Sequence, residues 1–302
     1  MAAIAAFRAA FLLSLAVGAT AMPAAAQEAP WMNQVAQALG KKGSAMPGGV
    51  YRVGLARSDI KATLDGVELK PAFALGSWLA FTNAGNHGAV MGDLVLLATE
   101  VNPVMKKLEE GGIEVTALHN HLLRNEPFTM YMHVSGHGDP VKLAGILHAA
   151  LQESRTPLSE SPAPPPSAGA DIGLDTAAID KALGHKGKVT GGVYQMNIAR
   201  AGKVREGGME VPGAMGSAIA INFQPTGSGK AAITGDFVLT AKEVNPVLRD
   251  LRAAGIEVTA VHNHMLDEEP RLFFVHFWAN DDTAKLLPGL QKALSDVSTA
   301  KG

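Results

Sequence analysis

The chain has no cysteine among its 302 residues. Disulfides, thiol nucleophiles, thiolate metal ligands and lipid attachment at cysteine are therefore all excluded. Aromatic residues make up only 5%, too few for stacking platforms that hold bases or sugars. The formal net charge is −2, so the basic surplus typical of nucleic-acid binders is missing and no nucleic-acid partner is expected. Beyond the N-terminal segment no apolar run reaches the ~20 residues of a membrane helix, and no membrane span is predicted. Phosphate loops, the Gly-x-Ser-x-Gly elbow and the His-Glu-x-x-His zinc motif are absent as well.

What is present begins with a leader. Arg8 is the only charge in residues 1–26, an apolar stretch covers residues 11–17, and small residues lead to Ala24, Ala25 and Ala26. This pattern predicts a signal peptide over 1–26, cleavage before Gln27, and a periplasmic or secreted protein.

The remainder is an internal duplication. Glu100-Val101-Asn102-Pro103-Val104 recurs as Glu243-Val244-Asn245-Pro246-Val247, and His119-Asn120-His121 recurs as His262-Asn263-His264. His133 recurs as His276, and Gly92-Asp93 as Gly235-Asp236, all at one offset of 143 residues. Two homologous tandem domains are expected, at 27–155 and 172–302. The linker between them, 156–171, carries Pro162, Pro164, Pro165 and Pro166 and reads as an extended spacer.

Each copy reads as α+β. Helical spacing at 31–39 and 176–183 ends at Gly40 and Gly184. Strand patterns follow at 50–56, 73–81 and 89–98. Asn102-Pro103 and Asn245-Pro246 suggest helix starts, with Gly111 and Gly255 as stops. Two further strands, 114–121 and 128–135, and a last helix near Asp139-Pro140 complete the unit. The expected architecture is an antiparallel sheet with helices packed on one face.

Six of the ten histidines fall in the duplicated constellation. His119 and His121, two apart on a strand, leave one face together with Val115 and Ala117. A hairpin centred on Pro127 places His133 opposite His121, and one centred on Pro270 does the same for His264 and His276. Three neutral imidazoles suit a transition metal, zinc or copper above all, so His119, His121, His133 and His262, His264, His276 are the candidate ligand sets. Met130 and Met132 flank the first set and point towards copper. Glu126 and Glu269 are candidate general bases if the clusters are catalytic. Asn120 and Asn263 are expected to bond local backbone, Asp93 and Asp236 to sit in turns, and Glu100 and Glu243 to face a helix dipole or the histidines. His87, His137, His148 and His185 have no counterpart and default to the surface.

The duplicated Glu-Val-Asn-Pro, Gly-Ile-Glu-Val-Thr-Ala and His-Asn-His segments resemble those of the LppY/LpqO family of exported bacterial proteins. The resemblance covers both repeats and implies export and duplication, not a particular reaction. From the residues themselves the leading expectation is an exported protein binding a transition metal at duplicated sites. A metal-dependent hydrolase using Glu126 and Glu269, and a metal-free module binding a small ligand, remain the alternatives.

Overall fold

The computed structural model describes residues 29–84, 87–159 and 171–300. The expected signal peptide lies outside the described residues, as does most of the proline-rich linker. Thr156 is buried, and Leu158 packs on the first domain's core, so the chain adheres to that domain beyond residue 155.

The first repeat opens with α1 (Pro30–Leu39), β1 (Ser44–Met46) and β2 (Val50–Ala56). A small hairpin, β3 (Thr63–Leu64) with β4 (Val67–Glu68), and the short α2 (Pro71–Ala74) come next. The long strands β5 (Gly76–Ala84) and β6 (His87–Leu97) lead into α3 (Ala98–Glu110), followed by β7 (Glu114–His119), β8 (Thr129–Gly138) and α4 (Pro140–Leu151). The second repeat runs α5 (Thr176–Leu183), β9 (Lys188–Thr190), β10 (Val193–Ala199), β11 (Arg205–Glu206) and β12 (Met209–Glu210). After a 3₁₀ turn at Gly213–Met215 it continues with β13 (Ala218–Gly227), β14 (Lys230–Thr240), α6 (Ala241–Ala253), β15 (Glu257–His262), β16 (Leu272–Asp282) and α7 (Thr283–Ser295). Each repeat forms one six-stranded antiparallel sheet, ordered β1-β2-β5-β6-β8-β7 and β9-β10-β13-β14-β16-β15.

Alternation along the strands gives each sheet two buried faces. Val53, Leu79, Val90, Leu94 and Val134 pack against Leu39, Val104, Leu108 and Leu147 of the helices. Residues of the opposite alternation leave the other face: Val50, Ala80 and Met91 join the core of the second repeat, while Val95 and Tyr131 pack with Ala232 and Trp278. The two sheets therefore lie face to face, with a helical layer outside each. Burial of this second face explains the near-continuous apolar runs in β6 and β14, which a half-solvated sheet does not carry.

The fold matches the expected α+β architecture, with two corrections: the strand expected over 73–81 begins only at Gly76, after the short helix α2, and the central helices start earlier than expected. α3 and α6 begin at Ala98 and Ala241, before the Asn-Pro pairs, and Pro103 and Pro246 lie inside them. The glutamates close the helix starts instead: Glu100 accepts from the Leu97 N–H at 2.8 Å and Glu243 from the Thr240 N–H at 2.7 Å. Both carboxylates also pair with a buried arginine, Glu100 with Arg57 and Glu243 with Arg200, each at 2.8 Å. They are structural and do not reach the histidines.

Candidate metal centre

The site is set by a bulge. β7 pairs with β8 through Val115↔Val134 and then Ala117↔His133, so Thr116 is the extra residue of the pair. β15 repeats the irregularity between Val258 and Ala260, around Thr259. A bulge leaves one residue unpaired and shifts the alternation of faces. Val115 consequently packs with the helices, whereas Ala117 and His119 share the face of their partners His133 and Tyr131. The register also moves the hairpin centre from Pro127 to Asn125. His121 falls beyond the end of β7 and is not opposite His133, and the second repeat shifts in the same way, from Pro270 to Glu268.

The unpaired bulge residues bond across the two domains. The Asn263 amide donates to the Thr116 carbonyl at 3.0 Å, and the Thr116 hydroxyl to the His264 carbonyl at 2.6 Å. Symmetrically, the Asn120 amide donates to the Thr259 carbonyl at 3.0 Å, and the Thr259 hydroxyl to the His121 carbonyl. Asn120 and Asn263 thus serve backbone, as expected, but the backbone they clamp includes that of the other domain.

These clamps bring all six duplicated histidines into one cage between the sheets. His119 stacks on His262 with ring centroids 3.5 Å apart, His121 meets His276 at 3.6 Å, and His133 meets His264 at 3.7 Å. All three close pairs join one domain to the other. Tyr131 backs His121 at 3.7 Å and Phe274 backs His264 at 3.4 Å, equivalent walls from equivalent positions.

Two aspartates complete the cage. Asp93 pairs with His133 across β6 and β8, and Asp236 pairs with His276 across β14 and β16. Both stand in mid-strand, not in turns. The preceding glycines answer to close packing: a Cβ on Gly92 would come within 2.8 Å of the Trp78 carbonyl oxygen, and one on Gly235 within 2.0 Å of that of Ala220. Asp93 Oδ2 lies 3.7 Å from His121 Nε2 and 3.9 Å from His133 Nε2. Asp236 lies 3.3 Å from His264 Nε2 and 3.7 Å from His276 Nδ1.

Hydrogen bonding orients the rings. Nδ1 of His119, His262 and His276 contacts the carbonyls of Asn120, Asn263 and Gly235 at 3.1, 2.9 and 2.8 Å, and His133 bonds the backbone of Gly92. A carbonyl only accepts, so Nδ1 carries the proton in those bonds. In a neutral ring Nε2 is then left with its lone pair. The Nε2 atoms of all six histidines are buried without a hydrogen-bond partner, as are Oδ1 of Asp93 and of Asp236.

Burial keeps the rings neutral. It brings His119 to about 3, helped by the neighbouring His262, and His262 to about 4. The other four are held well below the ordinary imidazole value, again chiefly by burial. Burial pushes the Asp93 carboxyl up to about 8 against the pull of Arg52. Asp236 is likewise raised well above the ordinary carboxyl value, by burial first and then by the Asp93 charge. Gln195 stands where the second repeat would place an arginine equivalent to Arg52.

Three overlapping groups have ligand atoms within 4.8 Å of one another: His119, His133, His262 and His264; Asp236, His262, His264 and His276; and His119, His121 and His276. The two triads expected from sequence thus meet in one shared cage: His262, His264 and His276 remain a group, joined by Asp236, whereas His119, His121 and His133 group only with residues of the other domain. Glu126 and Glu269 lie outside it. Their side chains are exposed, and their backbones pair with Thr63 and Arg205. Met132 and Met130 alternate with the cage residues and pack into the helix-facing core, so no thioether is offered there. Of the four remaining histidines, His87 and His137 are exposed, His185 is half-buried, and His148 bonds the Leu39 carbonyl. Sequence reasoning missed Asp93, Asp236, Tyr131 and Phe274. Their common offset of 143 residues was the available signal.

Fold and site define a protein of two pseudo-symmetric α+β repeats sharing one histidine-rich centre. The chain belongs to the family described as Domain of Unknown Function (DUF1259), whose model matches residues 33–153 and 177–296, one copy per repeat. No curated protein matches it. Among solved structures, a trimeric bacterial microcompartment shell protein, PduB, is 11% identical over 85% of this chain and 95% of that one, with a TM-score of 0.21. EtuB from Clostridium kluyveri is 11% identical over 84% and 89%, with a TM-score of 0.20. Likeness at these scores says nothing of this chain's fold or assembly.

Proposed function

We propose that this protein binds transition-metal ions in the cage of His119, His121, His133, His262, His264 and His276. One observation carries the reading: six buried Nε2 atoms without partners, several fixed in orientation by a carbonyl at Nδ1. A buried polar atom without a partner costs ~1–3 kcal/mol, and six in one place are a large cost unless a ligand meets them. Metal-bound histidines characteristically donate their other N–H to a carbonyl or carboxylate. Neutral imidazoles with carboxylates suit zinc and copper(II). Binding of either ion would also ionise the aspartates, since a cation favours the charged carboxylate.

The N-terminal pattern of residues 1–26 and the resemblance to the LppY/LpqO family support action outside the cytoplasm after cleavage. Metal analysis of the untagged protein from its native compartment, beside a variant with His119, His121 and His133 replaced by Ala, tests the reading. Bound metal in the native chain and its loss from a variant with unchanged circular dichroism is the expected result. A native chain that carries none and takes up neither zinc nor copper(II) on titration would overturn it.

A further inference from the structure

Six imidazoles are too many for one tetrahedral ion, and the cage divides them in a definite way. His119, His121 and His276 form one group with mutually close ligand atoms. The pseudo-symmetric equivalent is His262, His264 and His133, all three contained in a second such group. Two of the three ring spacings follow the same symmetry, the third being 5.3 Å for His119–His276 and 6.1 Å for His262–His133. His119–His121 is 5.2 Å and His262–His264 is 5.0 Å; His121–His276 is 3.6 Å and His264–His133 is 3.7 Å. Each triad takes its His-x-His pair from one domain and its third histidine from the other. Among the described residues, His121 belongs to no such group with His133.

The aspartates straddle the division. Asp93 stands 3.7 Å from His121 of one triad and 3.9 Å from His133 of the other. Asp236 stands 3.3 Å from His264 and 3.7 Å from His276, again one from each triad. Each has Oδ1 buried and unpartnered. A carboxylate with one oxygen for each of two neighbouring ions is the usual bridge of two-metal sites, whose ions lie ~3.5–4 Å apart.

We propose that the cage is a dinuclear centre, holding one ion in His119, His121 and His276, a second in His262, His264 and His133, with Asp93 and Asp236 bridging them. The inference rests on the metal-binding reading above and goes beyond it in number, pairing and bridging. Among the described residues the first domain holds no such group by itself and the second holds His262, His264 and His276 with Asp236, but only the crossed triads place all six histidines in two groups. Six neutral imidazoles and two carboxylates leave a pair of divalent ions with excess positive charge, so the centre is suited to a small anionic or hydroxide ligand from solution.

The test counts ions in the full-length chain, loaded with zinc and dialysed. The wild type is expected to keep two. His121→Ala with His276→Ala empties one triad and keeps one ion. His121→Ala with His133→Ala damages both triads and keeps none. One ion in the wild type overturns the dinuclear centre while leaving metal binding intact, and none overturns both. The reverse pattern in the double variants overturns the cross-domain pairing. Copper(II) in the wild type supplies a reading that does not depend on the variants folding. At two equivalents the ions should couple, giving a broadened or half-field paramagnetic resonance, whereas two isolated signals contradict a shared centre.

Discussion

Chelator-treated protein should lose stability between pH 6.5 and 5.5. In the folded chain burial holds His119 at about 3, His262 at about 4 and the remaining four rings well below the usual range. In the unfolded chain each ring takes up a proton near pH ~6.5. A depressed folded pKa contributes stability that is intact above that value and drains away below it. Between pH 6.5 and 5.5 one ring loses about 1 kcal/mol by this linkage, and six lose about 6 kcal/mol. The aspartates act with the opposite sign. Asp93, raised to about 8, and Asp236, also raised well above the ordinary value, stay protonated in the fold while the unfolded chain has ionised them. That cost shrinks by about 1.4 kcal/mol per pH unit for each, which returns about 3 kcal/mol. The net loss is about 3 kcal/mol, a large share of the ~5–15 kcal/mol that holds a typical domain folded. Urea unfolding followed by tryptophan fluorescence, in chelator at the two pH values, measures it. A midpoint that is unchanged or higher at pH 5.5 would refute the dry cage, because rings open to water titrate alike in both states.

Zinc or copper(II) at about 100 times the dissociation constant should stabilise the fold by about 2.7 kcal/mol per site. At ~2–4 °C per kcal/mol this raises the melting temperature by about 5–10 °C, and a melting curve indifferent to metal and chelator contradicts the centre. Replacing Asn120 and Asn263 by Ala deprives the Thr259 and Thr116 carbonyls of their cross-domain donors. A cost of ~1–3 kcal/mol per site, with faster hydrogen exchange confined at first to β7, β15 and their loops, is the outcome to look for. Glu126→Gln with Glu269→Gln should leave metal content unchanged, since both side chains are exposed outside the cage. A fall in bound metal would bring these glutamates back into the site.

Much of this was legible in the chain itself. The common offset announced the two domains, β2 and α5 fall on the residues that periodicity assigned to them, and the Asp139-Pro140 pair caps α4. The six histidines were also legible, because identical residues at identical spacing in two copies stand out. Their partnership was not. It depends on a bulge at Thr116 that no local propensity marks, and on sheets meeting face to face, which pairs histidines 131 to 155 residues apart. Asp93 was misread for a related reason. Gly-Asp is a common turn signal, and only the long β6 shows that Gly92 is there for tight packing. Asn102 and Asn245 misled in the same manner, since an Asn-Pro pair imitates a helix start that the glutamates two residues earlier had already made.

The crossed histidines bear on how such a chain arises. On the crossed pairing proposed above, a single repeat would carry half of the six rings and no whole triad, so it would be complete only when two copies met about a true twofold axis. Fusion turns that meeting into an intramolecular event, with an effective concentration set by the connecting segment, and the centre no longer depends on how much protein is present. It also releases the two halves from having to be identical. Arg52 beside one aspartate and Gln195 in the equivalent place, or Tyr131 against Phe274, are differences that two copies of one chain can never have.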